Sequence, residues 1–193
     1  EIAQCLVGSE MCIRDSMDVD TAKYLTGGLW TKDKHAFHRG RIEVRARLHG
    51  ARGAWPAIWT LPYEIDKYVW PMGGEVDIME RLNNDTIAYQ TVHSAYTHVL
   101  GIKDNPKQGG TGTINRDDYN VYSVEMYRDS LVFFINDTRT FAYPRIETDK
   151  EGQFPFIDKR IFFHELVLFP TIEKFSARIS ESLLLYRRGF RFR

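Results

Sequence analysis

Cysteine is scarce in this sequence of 193 residues, and its charges cancel. The two cysteines, Cys5 and Cys12, precede the part of the chain with a domain-like pattern, so a disulfide between them would not staple a core. Because 26 Lys and Arg are balanced by 26 Asp and Glu, the formal net charge is zero and we expect no nucleic-acid partner. No apolar run reaches the ~18 residues of a membrane-spanning helix, which excludes that class.

A leader pattern and internal repeats are also missing. The chain begins at Glu1 with neither the basic segment nor the apolar core of a signal peptide, so either a leader has been removed or the true N-terminus is missing. The composition, 43% hydrophobic and 27% charged, predicts one folded domain rather than a disordered chain.

The central part of the chain has the pattern of an all-β protein. Residues 41–48 alternate polar and apolar side chains, which predicts a strand with Ile42, Val44, Ala46 and Leu48 inward. Further strands are predicted at 57–61, 86–93, 119–127, 131–135 and 138–143, with a turn at Asn136-Asp137 and a glycine-rich loop at 103–113. No long amphipathic helix is predicted between residues 24 and 156, so we expect an antiparallel sandwich or barrel.

The most informative stretch is GGEVDIME, residues 73–80. On a regular strand Glu75 and Asp77 share one face and Glu80 points to the other. If Ile78 and Met79 form a β-bulge, they count as one step and Glu80 returns to the acidic face. Three crowded carboxyls raise one another's proton affinity, so one can stay protonated while another is ionised, as glycoside hydrolysis requires. The alternatives are the polar face of a solvated strand or a divalent-cation site.

Three tryptophans flank this acidic stretch. Trp55 and Trp59 lie in GAWPAIW, residues 53–59, and Trp70 lies just before the glycines. Indole rings stack on the apolar C–H faces of sugars, so their presence favours a carbohydrate cleft. Packing in the core is an equal alternative for Trp59, whereas the prolines and glycines around Trp70 favour exposure in a cleft.

Four segments occur in order: GRIEVRARL (40–48), GAWPAIWTLP (53–62), WPMGGEVDIME (70–80) and TVH (91–93). With them the chain resembles glycoside hydrolase family 16, in its bulged, laminarinase-like branch. The resemblance implies a curved antiparallel β-sandwich, a concanavalin-like jelly roll, with a concave substrate cleft. It also implies retaining, endo-acting hydrolysis of internal β-glycosidic bonds in a polysaccharide, with no cofactor.

By position, the resemblance makes Glu75 the nucleophile and Glu80 the general acid/base. Asp77, between them, matches the residue that hydrogen-bonds the nucleophile and tunes its protonation. We assign no metal, because the structural calcium site of the family draws on terminal regions that depart from the pattern here.

The candidate substrate-binding residues are Trp55, Trp59, Trp70, His93, Arg81 and Asn83. His93 matches a histidine near the acid/base, with a structural role as the alternative. Arg81 and Asn83 follow the catalytic strand and could reach sugar hydroxyls, although exposed loop polarity explains them equally well.

Both ends of the chain depart from the family pattern. We interpret residues 1–16 as a non-native junction segment, 17–158 as a partial catalytic domain and 159–193 as an atypical segment that is either a helix with a basic end or the product of a frame error after Asp158. The usual strands before Tyr24 and the usual final strands are missing or scrambled. The expected sandwich is therefore incomplete at both ends, with open edges.

The predicted partner is a polysaccharide, and β-1,3- or mixed-linked β-glucan is the first choice. We expect the protein to be a monomer. The alternatives are an endo-β-galactosidase acting on algal or host galactans, a catalytically inactive carbohydrate-binding sandwich, and a fragment with no independent function. Because polysaccharides cannot enter a cell, we expect an extracellular, periplasmic or cell-surface location.

Overall fold

The described part of the chain folds into two β-sheets with almost no helix. The computed structural model describes residues 36–156 except His49 and Ile65, together with the backbone of residues 161–166 and 175–180. The strands are β1 (Gly40–Ala46), β2 (Ala57–Pro62), β3 (Glu75–Glu80), β4 (Ile87–His93), β5 (Gly109–Thr113), β6 (Asn120–Met126), β7 (Ser130–Ile135), β8 (Thr138–Pro144), β9 (Ile161–Leu166) and β10 (Phe175–Ser180). The only helix among the described residues is one turn, Ala95–Val99, so the predicted all-β class is confirmed.

The two sheets have five strands each, and neighbouring strands are antiparallel throughout. The front sheet has the order β5-β4-β3-β2-β9, and the back sheet has the order β10-β1-β6-β7-β8. Strand β3, which carries the acidic stretch, therefore lies at the centre of the front sheet. Both of its flanks are hydrogen-bonded, which holds its backbone firmly in place.

The core lies between the two sheets. Alternation along β1 directs Ile42, Val44 and Ala46 inward as predicted, and each is at most 2% exposed. Leu48, just beyond the strand, is buried as well. The facing residues of the front sheet and the rest of the back sheet complete one cluster: Ile58, Val76, Ile78, Met79, Ala88, Val92, Tyr122, Val124, Leu131, Phe133 and Tyr143. This packed core supports the strand that carries the acids.

The turn predicted at Asn136-Asp137 is confirmed. Ile135 pairs with Thr138, so these two residues form the whole loop between β7 and β8. Their φ angles are 49° and 61°, the left-handed conformation that a two-residue hairpin turn of this type requires and that Asn and Asp tolerate better than most residues.

The glycine-rich segment predicted as a loop is partly a strand. Gly109–Thr113 forms β5, which pairs with β4 at the edge of the front sheet. A Cβ at Gly109 would lie 2.6 Å from the carbonyl oxygen of Gln90, and one at Gly110 would lie 2.8 Å from Cβ of Phe141. The prediction was wrong because these glycines permit close packing against neighbours rather than marking a turn.

Two stretches of the atypical C-terminal segment are strands. β9 pairs with β2, and β10 pairs with β1. The helix that was one alternative for this segment is therefore wrong for these two stretches. Among the described strands, neither sheet closes on itself, since each sheet has two edge strands. The interpretations made for residues 1–16, for the two cysteines and for the arginine-rich end lie outside the described residues.

Candidate active site

A β-bulge in β3 brings the three acidic residues to one face. On β4 a single residue separates the partners of Asp77 and Glu80, whereas on β3 two residues, Ile78 and Met79, separate them. Both of these side chains are fully buried in the core. Glu80 is thereby returned to the outer face of the front sheet, beside Glu75 and Asp77, as the sequence predicted.

The side chain of Gln90 fastens the bulge from the core side. Its Nε2 donates a 3.1 Å hydrogen bond to the carbonyl oxygen of Ile78, and its Oε1 accepts a hydrogen bond from Thr140 Oγ1. Gln90 is fully buried, and a buried polar group left without such partners would cost about 1–3 kcal/mol. Sequence analysis missed this residue, although a Gln at an inward position of an alternating strand was the available signal.

Each of the two glutamates accepts a hydrogen bond from an indole. Trp70 Nε1 donates to Glu75 Oε2 over 2.6 Å, and Trp55 Nε1 donates to Glu80 Oε1 over 2.8 Å. These bonds orient the carboxyls from the two ends of the acidic row. Both favour the ionised form of the acceptor, because a carboxylate accepts a hydrogen bond more strongly than a neutral carboxyl does.

Asp77 lies between the glutamates and contacts His93. The carboxylate Oδ2 is 3.1 Å from His93 Nε2, and Asp77 is only 4% exposed. His93 stands opposite Glu75 in the β3–β4 ladder, so its ring lies beside both acids. On the other side of the ring, Gln108 Nε2 is 3.5 Å from His93 Nδ1.

The electrostatics of the site favour protonated carboxyls. Burial and the negative charge of Asp77 together raise the pKa of Glu75 to about 7, against the opposing effects of His93 and of the Trp70 hydrogen bond. Burial, again with Asp77, also raises the pKa of Glu80 above its ordinary value. Burial lowers the pKa of His93, but the contact with Asp77 and the nearby carboxylates outweigh it, and the net shift is upward. Near neutral pH the cluster therefore holds exchangeable protons.

Part of this cluster has the spacing of a cation site. One ligand atom from each of Glu75, Asp77 and His93 lies within 4.8 Å of the other two. Carboxylate oxygens and an imidazole nitrogen together suit a first-row transition metal. These residues could therefore hold such an ion, in competition with the protons that they share.

The three acidic residues lie in an open cleft of about 220 Å³. Its lining consists of Trp55, Ala57, Trp59, Glu75, Asp77 and Glu80. Trp59 pairs with Asp77 in the β2–β3 ladder and is half-buried, so it lies on the cleft face and not in the core. Trp55 and Trp70 are 57% and 44% exposed, which leaves indole surface available at both ends of the acidic row.

His98 is a further residue at this site that sequence analysis did not identify. It lies on the single helical turn after β4, and its ring meets Trp70 edge-on with 4.4 Å between centroids. The centroid of His93 is 6.0 Å from that of Trp70. The indole that donates to Glu75 is thus packed against two histidines, and no local sequence pattern signals the second one.

Arg81 and Asn83 are not among the residues that line the cleft. Arg81 is buried and donates from Nη1 to the carbonyl oxygen of Leu48 over 2.6 Å. Asn83 Oδ1 accepts a 2.7 Å hydrogen bond from the backbone N–H of Gly53, and the Asn83 N–H donates to the carbonyl oxygen of Ala54. Asn83 therefore anchors the backbone immediately before Trp55.

Comparison with known families agrees with this geometry. The family model described as Glycosyl hydrolases family 16 matches residues 3–167. The chain belongs to glycosyl hydrolase family 16. The match covers the whole acidic row, both indole donors and all strands from β1 to β9.

Within family 16, two relatives and one solved structure are similar to this chain. A keratan-sulfate endo-1,4-beta-galactosidase of Sphingobacterium multivorum is 33% identical over 77% of this chain and 36% of its own length. A beta-glucanase of Rhodothermus marinus is 36% identical over 67% of this chain and 46% of its own. The crystallographic laminarinase of Rhodothermus marinus is 31% identical, with a TM-score of 0.64, over 74% of this chain and 59% of that one.

This chain spans less than half the length of the two relatives compared by sequence. Among its described residues, no helix is long and apolar enough to cross a membrane. The similarity to the laminarinase structure supports the two-sheet jelly-roll architecture.

Proposed function

We propose that this chain carries the catalytic cleft of a retaining, endo-acting glycoside hydrolase. The observation that carries the proposal is the bulge in β3, which places Glu75, Asp77 and Glu80 on one face with an indole N–H on each glutamate. A binding cleft for a neutral sugar has no need of three crowded carboxyls, two of which, Glu75 and Glu80, have a pKa raised by burial and by the charge of Asp77. Family membership supports the same conclusion.

In the proposed first step, Glu80 donates its proton to the glycosidic oxygen as Glu75 attacks the anomeric carbon. The bond from that carbon to the leaving oxygen breaks, and a covalent glycosyl ester forms on Glu75. The raised pKa of Glu80 suits a proton donor, whereas Glu75, with a pKa raised to about 7, must lose its proton before it can act as the nucleophile. His93, opposite Glu75 in the ladder, supplies positive charge that favours the ionised nucleophile.

In the proposed second step, water attacks the glycosyl ester and Glu80 takes up the water proton. The sugar leaves with its original anomeric configuration, because two displacements at one carbon restore the stereochemistry. Asp77 acts by sharing a proton with the Glu75 carboxyl, so that Glu75 can be released as a carboxylate. Its contact with His93 holds it in position for that exchange.

For the substrate we propose a polysaccharide with β-1,3- or mixed β-linkages between glucose units. The similarity to a beta-glucanase and to a laminarinase supports this choice. Trp55, Trp59 and Trp70 would stack on successive sugar rings along the cleft. A galactan is the second candidate, because a relative named for endo-1,4-beta-galactosidase activity on keratan sulfate matches a similar share of the chain. We also propose that the protein acts outside the cytoplasm, where such polymers occur.

The test is a reducing-end assay of the chain on laminarin, lichenan, agarose and keratan sulfate. We expect new reducing ends from laminarin or lichenan, and a loss of at least about a thousandfold in kcat for Glu75→Gln and for Glu80→Gln. The exposed Glu147→Gln serves as a matched control that keeps full activity. Cleavage of agarose or keratan sulfate alone would show that the substrate is a galactan and not a glucan. If the chain shows a cooperative thermal transition and binds glycans without cleaving them, then it is a binding module and not a hydrolase.

A further inference from the structure

A second pocket lies away from the acidic cleft and is rich in arginine. Its volume is about 290 Å³, larger than that of the cleft. The pocket is lined by Arg47, Gly50, Arg81, Asn84, Arg116 and Asp117. Among these, Arg81 and Arg116 stand against the single carboxylate of Asp117, and this excess of positive charge favours an anion.

Arg81 forms the buried part of this arginine pocket. It is 1% exposed, and two of its three nitrogens are held by backbone: Nη1 donates to the carbonyl oxygen of Leu48 over 2.6 Å and Nε to that of Asp85 over 3.0 Å. The third nitrogen, Nη2, has no hydrogen-bond partner among the described residues. A buried charged donor without a partner is costly, so its open position favours an acceptor.

Glycine at position 50 keeps the space beside Arg81 open. A Cβ there would lie 2.6 Å from the carbonyl oxygen of Asn83, 2.7 Å from Asn84 Oδ1 and 2.9 Å from Arg81 Nη2. Any other residue would therefore crowd the free nitrogen. The conformation of Gly50 does not itself demand glycine, since its φ is not in the left-handed region.

Arg116 supplies a second, exposed guanidinium at the pocket. Its nearest carboxylate is that of Asp117, 3.6 Å from Nε, and the two side chains are 51% and 81% exposed. Exposed pairs of this length contribute little, so an anion can compete for Arg116 without breaking a strong contact. Burial, with a smaller effect of the Arg116 charge, lowers the pKa of Arg81 below its ordinary value, and Tyr122, Asp117 and Asp85 oppose that shift.

We propose that the arginine pocket binds an oxyanion of the sulfate type, held by Arg81 and Arg116. Arg81 Nη2 and the exposed guanidinium of Arg116 can donate charge-assisted hydrogen bonds to such an anion. A water molecule takes only about 30 Å³ of liquid, so the cavity has room for the anion and accompanying water. The anion is either free in solution or an ester group on a glycan chain. This site is independent of hydrolysis in the cleft.

The first experiment is calorimetric titration of the purified chain with sodium sulfate, against sodium chloride at equal ionic strength. We expect saturable sulfate binding that Arg116→Gln weakens about tenfold or more. Asp117→Asn removes the competing carboxylate and should tighten binding severalfold. Arg128→Gln, an exposed arginine at the opposite end of β6, should leave binding unchanged.

Gly50→Ala provides a second variant that changes no charge. A methyl group there meets both the Asn83 carbonyl oxygen and Arg81 Nη2, so we expect sulfate binding to be lost. A thermal transition near that of the wild type would show that the shift of the Asn83 backbone has not unfolded the chain. Equal sulfate responses in the wild type and in the Arg116, Asp117 and Arg128 variants would overturn the proposal, since sulfate also stabilises proteins by exclusion from their surfaces.

A sulfated oligosaccharide and its desulfated counterpart distinguish the two possible sources of the anion, a free ion and an ester group on a glycan. Tighter binding of the sulfated form, lost in Arg116→Gln, assigns the pocket to an ester group on a glycan. Binding of inorganic sulfate alone assigns it to a free anion. Failure of glycan cleavage in the acidic cleft would leave both results unaffected.

Discussion

Trp70 and Glu75 are joined by a 2.6 Å hydrogen bond from the indole Nε1 to the carboxylate Oε2, and a second indole, Trp55, makes the equivalent bond to Glu80. Both bonds lower the pKa of their acceptors. The proposed roles differ, however, because Glu75 must be ionised and Glu80 must be protonated in the first step. Removal of the Trp70 donor and removal of the Trp55 donor should therefore affect opposite limbs of the pH–rate profile.

We predict that Trp70→Phe moves the acidic limb of kcat/KM to higher pH, by roughly 0.5–1 pH unit, because the pKa of Glu75 rises when its donor is lost. Trp55→Phe should move the alkaline limb to higher pH instead, through Glu80. The measurement is kcat/KM between pH 4 and pH 9 for the three proteins. If the two variants exchange these effects, then Glu80 is the nucleophile and Glu75 is the acid.

Replacing Asp77 by Asn should move both limbs to lower pH. The negative charge of Asp77 raises the pKa of Glu75 and of Glu80, so its removal lowers both. Loss of the shared proton should also reduce kcat by about a hundredfold or more. Asp149→Asn, in an exposed loop, is the control. A D77N profile with unchanged limbs would show that Asp77 does not act electrostatically on the pair.

The pH dependence of stability follows from Glu75. Its folded-state pKa of about 7 exceeds the ordinary value of 4.5, so the folded chain binds this proton more tightly than the unfolded chain does. Stability from this group is therefore present below pH ~4.5 and is lost as the pH rises through 7. His93, whose pKa is also raised, acts in the same direction.

Glu75→Gln removes this dependence and should be more stable than the wild type at pH 8, by on the order of 1–2 kcal/mol after allowance for partial solvent exposure. At pH 4 the two proteins should unfold almost together. Urea unfolding followed by tryptophan fluorescence at both pH values measures the difference. Equal stability of variant and wild type at pH 8 would mean that Glu75 titrates with its ordinary pKa in the folded chain.

Gln90 should matter both for stability and for catalysis. Gln90→Met keeps the side-chain volume but leaves the Ile78 carbonyl of the bulge without its donor, at a cost of about 1–3 kcal/mol. We expect a lower kcat as well, because the bulge determines the direction of Glu80. Val92→Ala is the matched control, since it removes buried packing on the same strand without touching the bulge. If the Gln90→Met variant has lower stability but unchanged kcat, then Gln90 contributes to folding and not to catalysis.

Period-two patterns account for what could be predicted from the sequence. They gave the inward face of β1, and the step count across Ile78 and Met79 gave the bulge that returns Glu80 to the acidic face. The same alternation, continued one residue further, also explains why Arg81 leaves the cleft. These features depend only on residues that are adjacent along the chain.

The missed features depend on contacts between distant segments. Gln90 and Thr140 are separated by 50 positions but share a hydrogen bond, and His98 meets Trp70 only because the turn after β4 returns beside the loop before β3. The glycines of β5 suggested a loop because the neighbours that they pack against, such as Phe141, lie on another strand. The alternation along β4 could have marked Gln90 as an inward polar residue, but no local pattern identifies its partner Thr140 or the contact of His98 with Trp70.

The division of roles between the two glutamates is the centre of this account, and azide rescue tests it most directly. Glu75→Ala and Glu80→Ala are each incubated with an activated aryl β-glycoside and sodium azide, and the anomer of the glycosyl azide is read by nuclear magnetic resonance. We predict the α-azide from Glu75→Ala, because azide then replaces the nucleophile. The β-azide should form from Glu80→Ala, through attack on the glycosyl ester of Glu75. A β-azide from Glu75→Ala would contradict the assignment of Glu75 as the nucleophile.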